Sequence, residues 1–177
     1  MSALSPVHQK FILHWGEMGT RWGINRTVAQ VHALLFITAK PLPADEIVEA
    51  LEVARSNVST SLKELQGWGI VKVVHVLGDR RDHFESLHDV WEMFRVIAEE
   101  RKRREVDPTV IFLRECVADA AKTSGDATAK ERLGELLGFF ETMTNWYAQM
   151  RKVPTGALLR AVRLGDGIFK FLGKGSR

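Results

Sequence analysis

Arg55, Ser56, Asn57, Ser59, Thr60 and Lys63 lie within one short stretch and are the side chains best suited to chemistry with a partner. The hydroxyls and the amide are short donors and acceptors that fit base edges in a groove. The two bases fit phosphate oxygens. Further along, Asp79, Arg80 and Arg81 follow Gly78 at a tight turn. An arginine on such a turn can enter a narrow minor groove, where the potential is most negative. Asp79 can hold Arg81 across the turn by a charge-assisted bond. Each feature has a plain alternative: an ordinary polar surface helix, and a solvated hairpin tip. Serine and threonine are poor helix formers, however, and a surface built for stability would carry Glu, Lys or Ala.

Other chemistry finds little support. His8 with His14, and His83 with His88, miss the i, i+3 and i, i+4 spacing of a helical metal site. No metal site and no cofactor are therefore expected. The sequence has no G-x-G-x-x-G, no P-loop and no G-x-S-x-G. Paired carboxylates such as Asp45 and Glu46 belong to a surface helix, and no catalytic residue is assigned. Cys116 is the only cysteine, so no intrachain disulfide is available. Its apolar neighbours point to a buried, inert thiol. The tryptophans, Trp15, Trp22, Trp68, Trp91 and Trp146, suit core or interface anchors. An aromatic cage for a quaternary ammonium is the sharper alternative.

The elements that must position the polar stretch follow from periodicity. Phe11, Trp15, Met18 and Trp22 predict a helix over about 7–22. Asn25 caps a second helix that runs to the Lys40–Pro41 stop. A third spans about 44–52, with Ile47 and Leu51 inward and its acids outward. Ser56 is expected as N-cap of a fourth helix, with Val58, Leu62 and Leu65 inward and Gly67 and Gly69 at its end. Residues 70–76 and 82–86 predict two short strands joined by Gly78–Asp79. A polar helix, a glycine stop, a strand and a basic turn in this order describe the reading head of a winged helix-turn-helix.

Ser86 and Asp89 resemble a capping box that opens a helix over about 87–105. Asp107–Pro108 predicts a break before a helix that reaches Lys122. Leu133, Leu136, Phe140, Met143, Tyr147 and Met150 form a heptad-spaced seam, widened by Leu137, Phe139 and Trp146. A last amphipathic helix is expected over about 155–172, with a frayed tail from Gly173. The fold class is thus mainly α with a small β wing. Residues 1–88 form the winged helix-turn-helix with its N-terminal helix, and 89–177 form a helical dimerisation and effector region.

Composition agrees. The 177 residues are 45% hydrophobic and 27% charged, which suits a globular core. No apolar run reaches the length of a membrane span, and no signal peptide opens the sequence, so a cytoplasmic location is expected. Net charge is only +3, but it is segregated. Residues 55–81 carry five bases against two acids, while 41–54 carry four acids and no base. That matches an electrostatic footprint on DNA. Arg101–Arg104 also look basic, but Glu99 and Glu100 stand at pairing distance from Arg103 and Arg104, which favours a salt-bridged face. Residues 151–177 carry seven bases against Asp166, in either a phosphate-contacting or a partly packed helix.

The stretches WGEMGTRWGINRTVAQVHALLFITAKPLPADEIVEAL, SNVSTSLKELQGWGIV, GDRRDHF and DVWEMFRVIAEERKRREVDP resemble the GbsR branch of the MarR-type transcriptional regulators. They cover about residues 14–108, and RKRREVDP is the part most specific to that branch. The resemblance implies a homodimer with one winged helix per subunit. It places Ser56, Asn57, Ser59 and Thr60 on the recognition helix and matches Asp79 and Arg81 to a D-x-R wing pattern. His83–Phe84 departs from the tyrosine-like aromatics common there. The resemblance also implies response to choline- or betaine-like molecules, for which Trp91 and Trp146 are the effector candidates. The function expected is a dimeric, sequence-specific regulator of transcription, a repressor modulated by a small molecule. Double-stranded DNA, a second copy and that effector are its partners, with no membrane insertion. The alternative is a winged-helix interaction module without DNA binding.

Overall fold

A computed structural model describes residues 4–122, 127–157, 160 and 164 of the chain. Helix α1 (Pro6–Arg21) starts at Ser5, whose Oγ accepts from the His8 N–H, with Pro6 in its first turn. It buries Ile12, Gly16 and Gly19, with Phe11 and Trp15 half-buried beside them. A Cβ on Gly19 would stand 2.5 Å from the Ala29 Cβ, so glycine permits the close crossing of α1 with α2 (Arg26–Thr38). Asn25 caps α2, its Oδ1 accepting from the Thr27 N–H at 2.8 Å. Trp22, expected inward, is exposed.

Helix α2 is the centre of the core. Val28, Val31, Ala33, Leu34 and Leu35 are all buried, and so is His32. Strand β1 (Leu42–Pro43) leads directly into α3 (Ala44–Leu51), which buries Ile47. Helix α4 (Arg55–Trp68) follows and buries Val58, Ser61, Leu62 and Leu65 against this core. Ser56 is not its N-cap. The helix starts two residues earlier, from Ala54, whose carbonyl accepts from the Asn57 and Val58 N–H groups. Gly67 stays helical, and Gly69, at φ +78°, provides the left-handed stop.

Strands β2 (Val71–Val74) and β3 (His83–Ser86) form the wing hairpin. The sheet has the order β1-β3-β2 and is antiparallel throughout, with Leu42 opposite Phe84 and Val71 opposite Ser86. Ser86, expected in a capping box, is buried in β3. Asp89 alone caps α5 (Val90–Arg101), its carboxylate accepting from the N–H groups of Trp91 and Glu92 at 2.8 and 3.1 Å. The first compact unit, Met1–Glu100, takes in most of α5.

The second unit begins at Arg101. Lys102–Val106 wind as a π-helical turn ahead of α6 (Asp107–Lys122). A break was expected at Asp107–Pro108, but Asp107 keeps helical angles, φ −61° and ψ −44°, and its N–H donates to the Lys102 carbonyl. The wider turn accommodates a proline ring that would clash with the carbonyl four residues back in a regular helix. Lys102 Nζ bridges the turn to Asp107 at 2.7 Å. Cys116 is half-buried rather than buried.

Helix α6 packs along α7 (Ala127–Met150), with Arg114 donating from Nε and Nη2 to Glu141 at 2.9 and 2.8 Å. The expected seam on α7 divides into two stripes. Leu133, Leu137, Phe140, Tyr147 and Met150 are half-buried, while Leu136, Phe139, Met143 and Trp146 are exposed. Among the described residues no helix is long and apolar enough to cross a membrane. Most of the amphipathic helix expected at 155–172, and the tail, lie outside them.

Candidate nucleic-acid interface

Every residue expected on the reading face is exposed: Arg55, Ser56, Asn57, Ser59, Thr60 and Lys63. The helical period explains the arrangement. With about 100° per residue, Arg55, Ser56, Ser59, Thr60 and Lys63 share one face of α4, opposite the buried Val58, Leu62 and Leu65. Asn57 falls on the flank of that face, next to the buried Ser61. Gln66 lies one turn beyond Lys63 on the same face and is also exposed. Its i+3 spacing from Lys63 was the signal that sequence reading passed over.

The wing separates its bases by surroundings. Lys72 stands opposite Glu85 across the β2–β3 ladder and pairs with it at 3.0 Å. Lys72, supported by His88 at 3.3 Å, holds the Glu85 carboxyl below its usual range. Arg81 is engaged more deeply. Its backbone N–H and its Nε donate to Asp79 at 3.0–3.1 Å, and its Nη2 donates at 2.6 Å. These bonds lower the Asp79 carboxyl to about 2. The expected support of Arg81 by Asp79 is thus present in the geometry. Gly78, at φ +87°, makes the turn that allows it. His83, buried at the root of the wing, approaches the Arg81 carbonyl through Nδ1 at 2.9 Å and Asp79 through Nε2 at 3.5 Å.

Sequence reading missed a second anchor. Pairing of β1 with β3 sets the first turn of α3 beside the wing, where Arg81 Nη1 donates to Asp45 at 2.7 Å and Nη2 lies 3.6 Å from Glu46. Desolvation raises the Asp45 carboxyl, but the hydrogen bond and charge of Arg81, together with the backbone N–H groups of Asp45 and Glu46, outweigh it and leave the carboxyl lowered. The residues read only as outward acids are therefore wing contacts. Arg55, Lys63 and Arg80, by contrast, are exposed and have no ion pair among the described residues.

Trp91 is exposed on α5 in the first unit, and Trp146 is exposed on α7 in the second. A separate aromatic group joins α1 to α2. Phe11 stacks on Trp15 at 5.5 Å, Trp15 meets Trp22 edge-on at 5.8 Å, and Phe36 lies 6.5 Å from Phe11. In the Arg101–Arg104 run Lys102 pairs with Asp107 at 2.7 Å, and Arg101 lies 4.0 Å from Glu105. Among the described residues no group of three His, Cys, Asp or Glu could hold a metal ion.

Residues 22–82 match the model of the MarR family. The span runs from the end of α1 to the tip of the wing. Over 155 residues the chain is 26% identical to the HTH-type transcriptional repressor GbsR of Bacillus subtilis (strain 168), covering 85% of this chain and 82% of that protein. A solved structure described as a transcriptional regulator shares the fold with a TM-score of 0.61 at 21% identity, covering 82% of this chain and 96% of the other.

Proposed function

We propose that this chain, a GbsR-like transcriptional regulator of the MarR type, binds double-stranded DNA as a homodimer and represses transcription from the sites it occupies. The observation that carries the reading is the α4 face, where small polar side chains and two unpaired bases stand clear of the core. Ser56, Ser59 and Thr60, with Asn57 at the flank, read base edges. Arg55, Lys63 and Arg80 contact phosphates, and Arg81, steadied by Asp79, enters the neighbouring groove. The role assigned is binding rather than catalysis, and the compartment is the cytoplasm.

The exposed apolar stripe on α7 supports dimerisation, since a soluble helix rarely leaves Leu136, Phe139, Met143 and Trp146 open to water. A small molecule, choline- or betaine-like, modulates binding, with Trp91 and Trp146 as its candidate contacts. Exposed indole rings suit a quaternary ammonium. Mobility shift with DNA from upstream of the coding sequence tests the proposal. A retarded complex that survives excess random duplex is expected. Its absence at micromolar chain would leave a winged-helix interaction module as the better reading.

A further inference from the structure

We propose that the Arg81–Asp45 ion pair is a latch, which keeps the wing arginine away from DNA until a duplex displaces the α3 carboxylates. The inference rests on the DNA-binding reading above. Asp79, Asp45 and Glu46 surround the one guanidinium of Arg81, so the cluster carries a formal charge of −2. A phosphate approaching it meets net negative charge. Nε, Nη1 and Nη2 each already donate to a carboxylate, and the N–H left on each terminal nitrogen lies among these acids, so a close approach by phosphate is favoured once one carboxylate gives way.

The geometry decides which one. Asp79 is bonded to the Arg81 backbone as well as to its side chain and moves with it. Asp45 and Glu46 sit on another element, in the first turn of α3. That helix has no side-chain cap, so its N-terminal N–H groups and dipole favour the two carboxylates once Arg81 has left. The Arg81 side chain is 47% exposed and that of Asp45 50%, so the pair is wet and easily exchanged. Arg80, next in the chain and without an ion pair among the described residues, makes the first phosphate contact. Arg81 follows when the latch opens.

Anisotropy titrations of a labelled A·T-rich duplex test this, using the full-length chain as wild type, Asp45→Asn, Arg81→Ala and the double variant. Asp45→Asn is expected to tighten binding about three- to fivefold, the range of an exposed ion pair. It should also steepen the salt dependence toward one further phosphate. In the Arg81→Ala background the same change should give at most about a twofold gain, the effect of removing one acid near DNA. Glu46→Gln, at the longer distance, should give a smaller gain of the same sign, and it reads out the latch even if Asp45→Asn disturbs folding. Equal gains in both backgrounds would reduce Asp45 to a bulk charge and overturn the latch while DNA binding stands. Weaker binding by Asp45→Asn would also overturn it, making the pair a positioning contact. Wild-type protein that shows no salt-dependent duplex binding would remove the underlying reading as well.

Discussion

Arg80 and Arg81 are neighbours in the chain with opposite electrostatic surroundings: the first has no ion pair among the described residues, and the second faces three carboxylates. Arg80→Ala should weaken binding to all duplexes alike and flatten the salt slope by about one unit, because a phosphate contact carries no sequence information. An unchanged slope would remove Arg80 from the interface. On α4 the expectation differs. Ser59→Ala or Asn57→Ala should change sequence preference more than Arg80→Ala does, at a cost of about 1–3 kcal/mol against the preferred site where a base contact is lost. Parallel loss of specific and non-specific affinity would withdraw the base-reading role. His32 makes a prediction about stability. It is 4% exposed, its Nε2 has no hydrogen-bond partner among the described residues, and burial lowers its pKa to about 4 from 6.5. The unfolded chain therefore binds the proton first. Stability is complete above about pH 6.5 and falls as pH drops toward 4, by about 3 kcal/mol. The carboxylates Asp79, Asp45 and Glu85, with lowered values, lose their contributions only at lower pH. Urea unfolding between pH 7 and 4.5 should show the fall in wild type and much less of it in His32→Leu. Equal slopes would contradict a neutral, desolvated imidazole.

Local rules explain most of the elements, and the exceptions have identifiable causes. The stripe of Val58, Leu62 and Leu65 located α4 and its exposed face correctly, because helical period alone separates inside from outside. The N-cap was misread because Ala54 offers no capping side chain, while Ser56, a good capping type, lies inside the first turn. Strand β1 was illegible. It is two residues long, one of them Pro43, and only its register against His83 and Phe84, far along the chain, defines it. Missing β1 meant missing the contact of Asp45 and Glu46 with Arg81, since that pairing brings α3 to the wing. Pro108 does not break the chain because a π turn satisfies the same steric demand. The capping of α5 gives a direct test. Asp89 accepts from two N–H groups, so Asp89→Ala should cost about 1 kcal/mol in thermal or urea unfolding, and Asp89→Ser much less. No change in either variant would show that the helix start is held by packing alone.

At the scale of the molecule, one winged helix is not enough for the proposed function. A single head reads too few base pairs to find one site among genomic competitors. Two heads related by a two-fold axis would read a near-palindrome with half-sites about 34–36 Å apart, or a multiple of that spacing. The described part of α7 buries no side chain fully and leaves Phe139 58% and Trp146 56% exposed, which fits a surface awaiting a second copy. Light scattering on the full-length chain should give the mass of a dimer at micromolar concentration. Phe139→Glu with Trp146→Glu should shift it toward monomer and weaken operator binding. Monomeric wild type that still binds its operator tightly would overturn this use of α7. The central claim, that the α4 face reads DNA sequence, is tested most directly by competition at one fixed salt concentration. The full-length chain is titrated with duplex from upstream of its coding sequence and with a scrambled duplex of the same composition. The expected result is at least about a thousandfold preference for the upstream duplex, reduced by substitutions at Ser56 and Ser59. Equal affinity of the wild-type chain for the two duplexes would contradict it.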